Sequence, residues 1–519
     1  MLGTLGHILR LGRAGFILAR EGVFSGVDAA AVPAEARPAL WLARLLARRG
    51  GGVARLAPAV AQLGPSYVKL GQTLATRPDV VGAAVARELE QLQDRMEPFP
   101  YAVAADVIEK AFGRPIRELF TELSEPVAAA SVAQVHRGKV IEDGVARPVA
   151  VKVLRPGIER RFRRDLSDMF FAARLAERFS AEAQRLNVVG VVETLARSVK
   201  VEMDFRLEAA AASEFAENTR GDEDFLVPKV DWDRCSREVM TLEWIEGTPL
   251  SDIEALRRSG VNLPNLGRIL IQSFLRHAVR DGFFHADMHP GNLFLTPEGR
   301  LAAVDFGIMG RLGLKERRFL AEILYGFIVR DYQRVAEVHF EAGYVPPHYR
   351  VADFAQAIRA VGEPIHSRRA DEISMAKLLT LLFEITALFD MRTRIELVML
   401  QKTMVVVEGV ARSLDPRLDM WSTAEPVVKS WMEDNLGPRA KIADAGHSLA
   451  ALGQIAVQTP DMLVRAGRIV EKLELIAENG LALAPQTVNA IGKANAVSHR
   501  FWRVGLLFAC AVIVYLLWR

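Results

Sequence analysis

The sequence predicts an α+β chain of two lobes, a small β-rich lobe followed by a larger helical one, and three observations predict it. Residues 132–140 and 148–154 have β-character and flank Glu142-Asp143-Gly144, a hairpin-turn signal. Short apolar strands recur near residues 238–243 and 301–304. After Gly310 nearly everything reads as helix to the end. Bulk composition agrees: across 519 residues, 50% hydrophobic and 25% charged content excludes disorder or collagen-like repeats as the main story. The balance of 66 basic against 63 acidic residues, net +3, is too even for a dedicated nucleic-acid binder, so no nucleic acid is expected as a partner. Cys235 and Cys510 lie far apart, which excludes a disulfide framework or a cysteine-based zinc site and points to a reducing compartment.

The elements follow in order. Residues 1–60 form an apolar, basic helical region. Arg10 and Arg13 interrupt its first stretch, which therefore lacks the apolar core of a secretory signal. Leu2, Leu9 and Phe16 share a helical face, but Arg13 and Arg20 fall on it too, so this helix is expected to lie near a membrane or on the protein's own core. Residues 61–123 read as a helical extension. There Gly64-Pro65 opens a helix with Pro at its first position, where the missing N–H costs nothing, and another helix follows Arg77-Pro78-Asp79. The small lobe takes residues 124–247. Within it Val149, Val151 and Val153 alternate with Ala150 and Lys152, so Lys152 projects from the face opposite the valines. A long helical pattern runs from 188 to 218. The large lobe takes residues 248–410, a further helical region 411–499, and a membrane tail 500–519.

Residues 504–518 carry no charge and are flanked by Arg500, Arg503 and Arg519. As a helix they span about 22 Å, short of the ~30 Å hydrocarbon core, and the run reaches back to Phe501 if Arg503 snorkels. Trp502 and Trp518 suit the two interfaces. No acidic residue follows Glu478, so the approach is basic, and a single C-terminal span with the bulk of the chain on the cytoplasmic side is expected.

Four separated elements carry the chemistry: Lys152 in Val-Ala-Val-Lys on a strand, Glu208 in a helix beyond it, the stretch His285-Ala286-Asp287-Met288-His289-Pro290-Gly291-Asn292, and Asp305-Phe306-Gly307 after a strand. Phosphoryl transfer needs these residue types. Nucleotide phosphates are polyanionic, so a fixed ammonium must hold them, and a carboxylate on a facing helix keeps that ammonium oriented; Lys152 and Glu208 are the candidates. Divalent cations need hard oxygen ligands, which Asn292 and Asp305 supply, and Asp287 can orient a hydroxyl or water. The five-residue step from Asp287 to Asn292 is that of the protein-kinase catalytic loop, and Asp305-Phe306-Gly307 matches D-F-G. A bilobal protein-kinase-like fold binding ATP and Mg2+ follows from order, spacing and strand context together.

The chain resembles the UbiB/ABC1 family of atypical kinase-like proteins, specifically its bacterial branch in ubiquinone biosynthesis, over about residues 63–310. Lys69-Leu70-Gly71-Gln72 is similar to the family's K-x-G-Q, and Ala128, Ala129, Ala130, Ser131, Val132, Ala133 and Gln134 to the alanine-rich loop that replaces a glycine-rich one. Glu202-Met203-Asp204 is similar to E-x-D, and residues 285–292 to the H-x-D-x-x-x-x-N loop. The resemblance implies that the helix bearing Lys69 and Gln72 folds over the active site and occludes protein substrates. It implies as partners membrane lipids, polyprenylated phenol intermediates and enzymes of quinone biosynthesis, at the cytoplasmic face of a bacterial inner membrane. Glu208 is expected to pair with Lys152, and Glu202 or Asp204 to engage Lys69. On an ideal helix Glu202 lies about 200° round from Asp204, so both meet one partner only across a kink. Glu243-Trp244-Ile245 is the expected hinge for adenine, with Glu243 and Ile245 offering backbone groups. No A-P-E follows, and helix is expected from Leu314, so a long substrate-docking activation loop is absent. This favours ATP hydrolysis or small-molecule phosphorylation.

Two other classes stay open on sequence grounds. His285, Asp287 and His289 read alone as a metal-hydrolase cluster, although that leaves Lys152, Glu208 and Asp305 unexplained. A membrane scaffold that presents lipid and is only switched by nucleotide is the other. Gly505 and Ala509 allow a small-x-x-x-small face and hence a homodimer.

Overall fold

The computed structural model describes residues 2–26, 37–47, 55–75, 81–89, 92, 96–366, 384–386, 388–391 and 395–436. The expected membrane tail and the whole of the region from 437 onward lie outside these. Among the described residues no helix is long and apolar enough to cross a membrane.

The helical N-terminus comprises α1 (Leu2–Arg20), α2 (Arg37–Leu46), α3 (Leu56–Leu63), α4 (Pro65–Ala75), α5 (Ala83–Leu89), α6 (Tyr101–Phe112) and a single turn, α7 (Ile116–Leu119). Pro65 opens α4 as its sequence position predicts. The residue before it, Gly64, sits at φ 100, and a Cβ there would collide with the Arg161 guanidinium, which donates to the Leu63 carbonyl. α3, α4 and α5 close their own core through Ala57, Val60, Leu89 and Leu92.

A four-stranded antiparallel sheet follows, in the order β1 (Glu122–Ala129), β2 (Ala133–Glu142), β3 (Val145–Leu154) and β5 (Val239–Glu243). The β2–β3 turn is the predicted one: Asp143 and Gly144 both take positive φ, 49 and 78, as a two-residue hairpin with right-handed strand twist demands. The alternation in β3 is obeyed. Val149, Val151 and Val153 are buried against Ala104 and Ile108 of α6 and Phe120, and each contributes roughly 1.5 kcal/mol or more on burial. β1 was not foreseen: Glu122-Leu123-Ser124-Glu125-Pro126 has poor strand propensity, and its pairing with β2 is interrupted around Pro126.

Four helices lie between β3 and β5 in the chain: α8 (Ile158–Phe179), the short α9 (Ala181–Arg185), α10 (Val188–Glu202) and α11 (Phe205–Asn218). The single helix expected over 188–218 is thus corrected to two. The chain breaks at Met203-Asp204, and the Asp204 carboxylate caps α11 by accepting the Arg206 N–H at 3.2 Å. Its hydrophobic period survives the break because both helices face one core through Val192, Leu195, Val199, Phe205, Ala209, Ala212 and Phe215.

The large lobe carries β4 (Phe225–Leu226), β6 (Thr248–Pro249), β8 (Leu293–Leu295) and β9 (Leu301–Ala303) in the sheet order β4-β9-β8-β6, and a two-stranded ribbon of β7 (Phe283–His285) with β10 (Met309–Arg311). Around them stand α12 (Ile253–Arg258), α13 (Leu263–Arg276), α14 (Leu314–Ile328), α15 (Tyr332–Glu341), α16 (Val351–His366), α17 (Ile395–Leu414) and α18 (Met420–Leu436). Helix begins at Leu314, as the sequence predicts, directly after the ribbon.

Candidate functional site

β3 delivers Lys152 to the side of the sheet opposite its valines. There Nζ donates to Glu208 Oε1 at 2.7 Å and lies 3.2 Å from Asp305 Oδ1. Glu208 reaches it because α11, restarted by the Asp204 cap, runs beside β5 with its first turns buried. The Lys152 ammonium also sits 5.4 Å from the Phe205 ring. Burial opposes charge on Lys152, but Asp305 and Glu208 together carry its pKa above the ordinary lysine value. Lys152 in turn holds the Asp305 carboxyl well below the usual range, whereas burial pushes the Glu208 carboxyl up to about 7. Asp305 is the more open of the two: half of its side chain is exposed against 8% for Glu208.

Asp305 takes φ 65, a left-handed conformation that few non-glycine residues adopt. It is held there by Phe306, which is buried against Phe215 of α11 and the His285 ring at centroid distances of 5.9 and 5.6 Å. The Gly307 N–H returns to Asp305 Oδ1 at 3.3 Å. The β7–β10 ribbon pairs His285 with Met309, which fixes the loop after β7 beside the segment before β10. In that loop Asn292 Nδ2 donates to the backbone carbonyl and to Oδ2 of Asp287, at 3.1 and 3.2 Å, and the Asn292 carbonyl accepts the Val304 N–H. α17 contributes from far along the chain: Thr403 Oγ1 donates to the Ala286 carbonyl at 3.0 Å.

His285 does not fit the hydrolase alternative. Its Nε2–H donates to the Val304 carbonyl and its Nδ1 accepts the Asp287 N–H, so both ring nitrogens are spent on backbone. Among the described residues no group of three His, Cys, Asp or Glu side chains is placed to hold a metal. The oxygens present are instead the half-exposed Asp305 carboxylate, the exposed Asp287 carboxylate and the amide oxygen that Asn292 keeps after its nitrogen is bonded to Asp287. A cation held by so few protein oxygens needs ligands from a bound polyanion, and that is the donor set a nucleotide–Mg2+ pair requires.

The alanine-rich stretch closes a tight hairpin. Ala128 and Ala129 pair with Val135 and Gln134 at the end of β1, Ala130 N–H bonds to the Ala133 carbonyl, and Ser131, Val132 and Ala133 are buried. Gln134 faces the other way. Its amide takes the N–H and C=O of Phe99 at 2.9 and 3.1 Å, stitching the helical extension to β2. The Met96 N–H adds a bond to the Ala129 carbonyl. Arg155 is the residue the sequence reading missed. Its guanidinium spans the Glu97 and Ala130 carbonyls and lies 5.2 Å from the Phe99 ring. Its only signal was an arginine directly after a buried strand. Glu243 ends β5, where its carboxylate and N–H are both taken by the Lys229 backbone, while Trp244 N–H bonds to Pro148 and Ile245 follows half-buried.

Of the two acids expected near Lys69, Glu202 engages it, at 2.9 Å, with both side chains largely buried. Asp204 pairs with Arg206 instead, which keeps its carboxyl below the usual range. Gln72 lies one turn on in α4, half-buried. Gly71 between them is closely approached: a Cβ there would come within 2.3 Å of the Leu92 side chain.

The ABC1 atypical kinase-like domain matches residues 91–339, and the UbiB helical domain matches residues 358–419. A Marinobacter nauticus protein named Probable protein kinase UbiB is 39% identical over 444 residues, 84% of this chain and 80% of that one. Relatives of the same name from Aeromonas salmonicida and Pseudomonas paraeruginosa are 42% and 39% identical, over 71% and 83% of this chain and 68% and 81% of their own lengths. The chain belongs to the UbiB family of ABC1 atypical kinase-like proteins. Among solved structures, the complex of Rv3197 with erythromycin from Mycobacterium tuberculosis aligns with a TM-score of 0.49 and 26% identity, covering 71% of this chain and 93% of that one. The sheet bearing Lys152, the loop from His285 to Asn292 and Asp305-Phe306-Gly307 all fall inside the ABC1 match.

Proposed function

We propose that this UbiB-family chain is an atypical kinase or ATPase that binds Mg-ATP between its two lobes at a membrane and supports ubiquinone biosynthesis, through ATP-dependent access to or presentation of prenylated lipid intermediates. The observation that carries the reading is the placement of Lys152 between Glu208 and Asp305, with Asp287 and Asn292 joined beside them. Glu208 holds the ammonium so that it meets phosphate oxygens without reorganising. Asp305 and Asn292 would hold Mg2+, which supplies charge neutralisation on the phosphates when bound. Asp287, fixed by Asn292, would accept the proton of an attacking hydroxyl or water. When water attacks, ATP yields ADP and phosphate.

The hairpin at 128–133 would cover the nucleotide. Its alanines restrict φ and add methyl groups that a glycine loop lacks, so nucleotide placement differs from that of an ordinary kinase. The Lys69–Glu202 pair ties α4 to the end of α10, on the chain segment leading to Glu208, and this favours small or lipid acceptors over protein substrates. The apolar run at 504–518, basic on its approach, supports the membrane part of the reading.

The test is ATP turnover of the purified chain with and without anionic lipid and a prenylphenol analogue, beside complementation of a quinone-deficient strain. Asp305→Asn is expected to lower turnover by roughly 10² or more and to abolish quinone production. Quinone production that survives loss of turnover would establish the nucleotide-switched scaffold instead, and turnover indifferent to lipid would remove the membrane part.

A further inference from the structure

α1 and α2 pack against one another, and α1 is fastened to α8 on its inner side. Arg10 grips both oxygens of the buried Asp168 at 2.6 and 2.7 Å, His7 stacks on Phe171, and Ala14 and Ala19 are buried. The outer side of α1 is of another kind. Leu9, Arg13, Phe16 and Arg20, spaced four, three and four apart, form one exposed stripe, with Ile8 beside it. α2 is apolar on both sides. Leu40 is buried, yet Trp41, Leu42, Leu45 and Leu46 are 40 to 65% exposed along the opposite face. A helix that only covers a core carries polar residues at such positions. Exposed arginines Arg37 and Arg44 complete α2, and neither helix contains an acidic residue. Glu21, just past α1, is buried and bonded to Arg55.

We propose that the outer faces of α1 and α2 form a docking surface for an anionic lipid bilayer, in which Trp41, Leu42, Leu45, Leu9 and Phe16 enter the acyl boundary and Arg13 and Arg20 meet the headgroups. Aliphatic and aromatic side chains interleaved with arginine, without acids, are the composition of interfacial helices. Charge selects this occupant over two others. A second copy docked face to face would bring the same arginines together. The apolar end of the chain, residues 479–519, carries no acid, so that stretch offers the arginines no counter-charge. The proposal rests on the membrane reading above only in taking a bilayer as partner; its surface is independent of residues 504–518 and of the nucleotide site.

The full chain is reconstituted into phosphatidylcholine vesicles with and without phosphatidylglycerol, using plain or brominated acyl chains. Trp41 quenching is read as the difference from Trp41→Phe, beside amide exchange of residues 2–20 and 37–46. Bromolipid is expected to quench Trp41 in phosphatidylglycerol vesicles, with slowed exchange in both helices, and far less in phosphatidylcholine alone. Arg13→Glu with Arg20→Glu is expected to weaken this contact about fivefold or more for each arginine. Leu42→Glu with Leu45→Glu changes side chains already in solvent, so ATP turnover in detergent stays unchanged while slowed exchange in α2 disappears. Absent or charge-independent quenching overturns the proposal. Protection that appears in detergent and grows with protein concentration overturns it in favour of a second copy, and protection equal in detergent and vesicles does so in favour of the chain's own terminal segment. Failure of the nucleotide reading would leave Trp41 quenching intact, and a tail that does not insert would show as vesicle flotation lost with Leu42→Glu and Leu45→Glu.

Discussion

Lys152 has two carboxylate partners of unlike character, and that difference sets what each substitution does. Glu208 is enclosed and serves as the fixed strut, while Asp305 is open on one side and can turn to a cation. Glu208→Gln removes the strut and leaves the ammonium drawn to Asp305; ATP affinity measured by titration calorimetry is expected to fall about tenfold or more. Lys69→Met strands the Glu202 carboxylate, 12% exposed, without its ammonium, and is expected to destabilise the fold by about 1–3 kcal/mol in urea denaturation, with Glu202→Gln added in the same chain recovering part of the loss. The residue types at this scale were legible because phosphate chemistry admits few of them. The choice between Glu202 and Asp204 was not, since on an unbroken helix both were candidates and only the break at Met203 sends Asp204 to the α11 N–H groups.

At the scale of elements, the joints between helices and the close approaches decide most. Asp204 caps α11, the helix that carries Glu208. Asp204→Ala is expected to lower stability by about 1 kcal/mol in the same denaturation assay. Gly71 sits where α4 packs on Leu89 and Leu92, and Gly71→Ala forces overpacking worth about 1–3 kcal/mol, read as a lowered urea midpoint. Gly282, at φ 66, ends the π turn His277–Asp281 and lies against the Leu312 backbone; a Cβ there would meet the Leu312 carbonyl at 2.5 Å. That approach lets the β7–β10 ribbon form and carries the loop between His285 and Asn292 to Asp305. Strand alternation and the Asp143-Gly144 turn made β2 and β3 readable, because period and turn chemistry are local. β1 was unreadable because tertiary pairing with β2, not propensity, makes it a strand. Gly310 shows the same limit: its missing side chain admits the Phe284 ring, a need visible only once β7 and β10 are paired.

For the whole molecule, the buried histidines set the acid side of stability. Burial lowers the pKa of His136, His277 and His285 below the ordinary 6.5. The unfolded chain takes protons below pH 6.5 that the folded chain refuses, so stability is full above that pH and falls as pH drops through it, by about 1.4 kcal/mol per pH unit for each excluded proton. Asp305, held low by Lys152, and Asp222, held low by His277 and Arg280 against the opposing effect of burial, add a second loss below the carboxylate range near pH 4. Glu208, whose carboxyl burial pushes up to about 7, takes up a proton on folding over the same range and offsets one of these losses. Urea midpoints are therefore expected to be flat from pH 8 to about 7 and to decline below about 6.5, where the three histidines outweigh it; a constant midpoint down to pH 5 would contradict the burial of these rings. By itself the sequence determined the inventory of chemical groups, the order of the lobes and the local periodicities, because composition, spacing and turn chemistry act over a few residues. Tertiary structure alone decided that Gln134 binds the Phe99 amide and carbonyl and Arg155 the Glu97 carbonyl of the extension, that α10 and α11 are separate, and that Thr403 steadies a loop more than a hundred positions earlier. Those contacts join segments whose proximity exists only after the core has closed, and no local pattern encodes them.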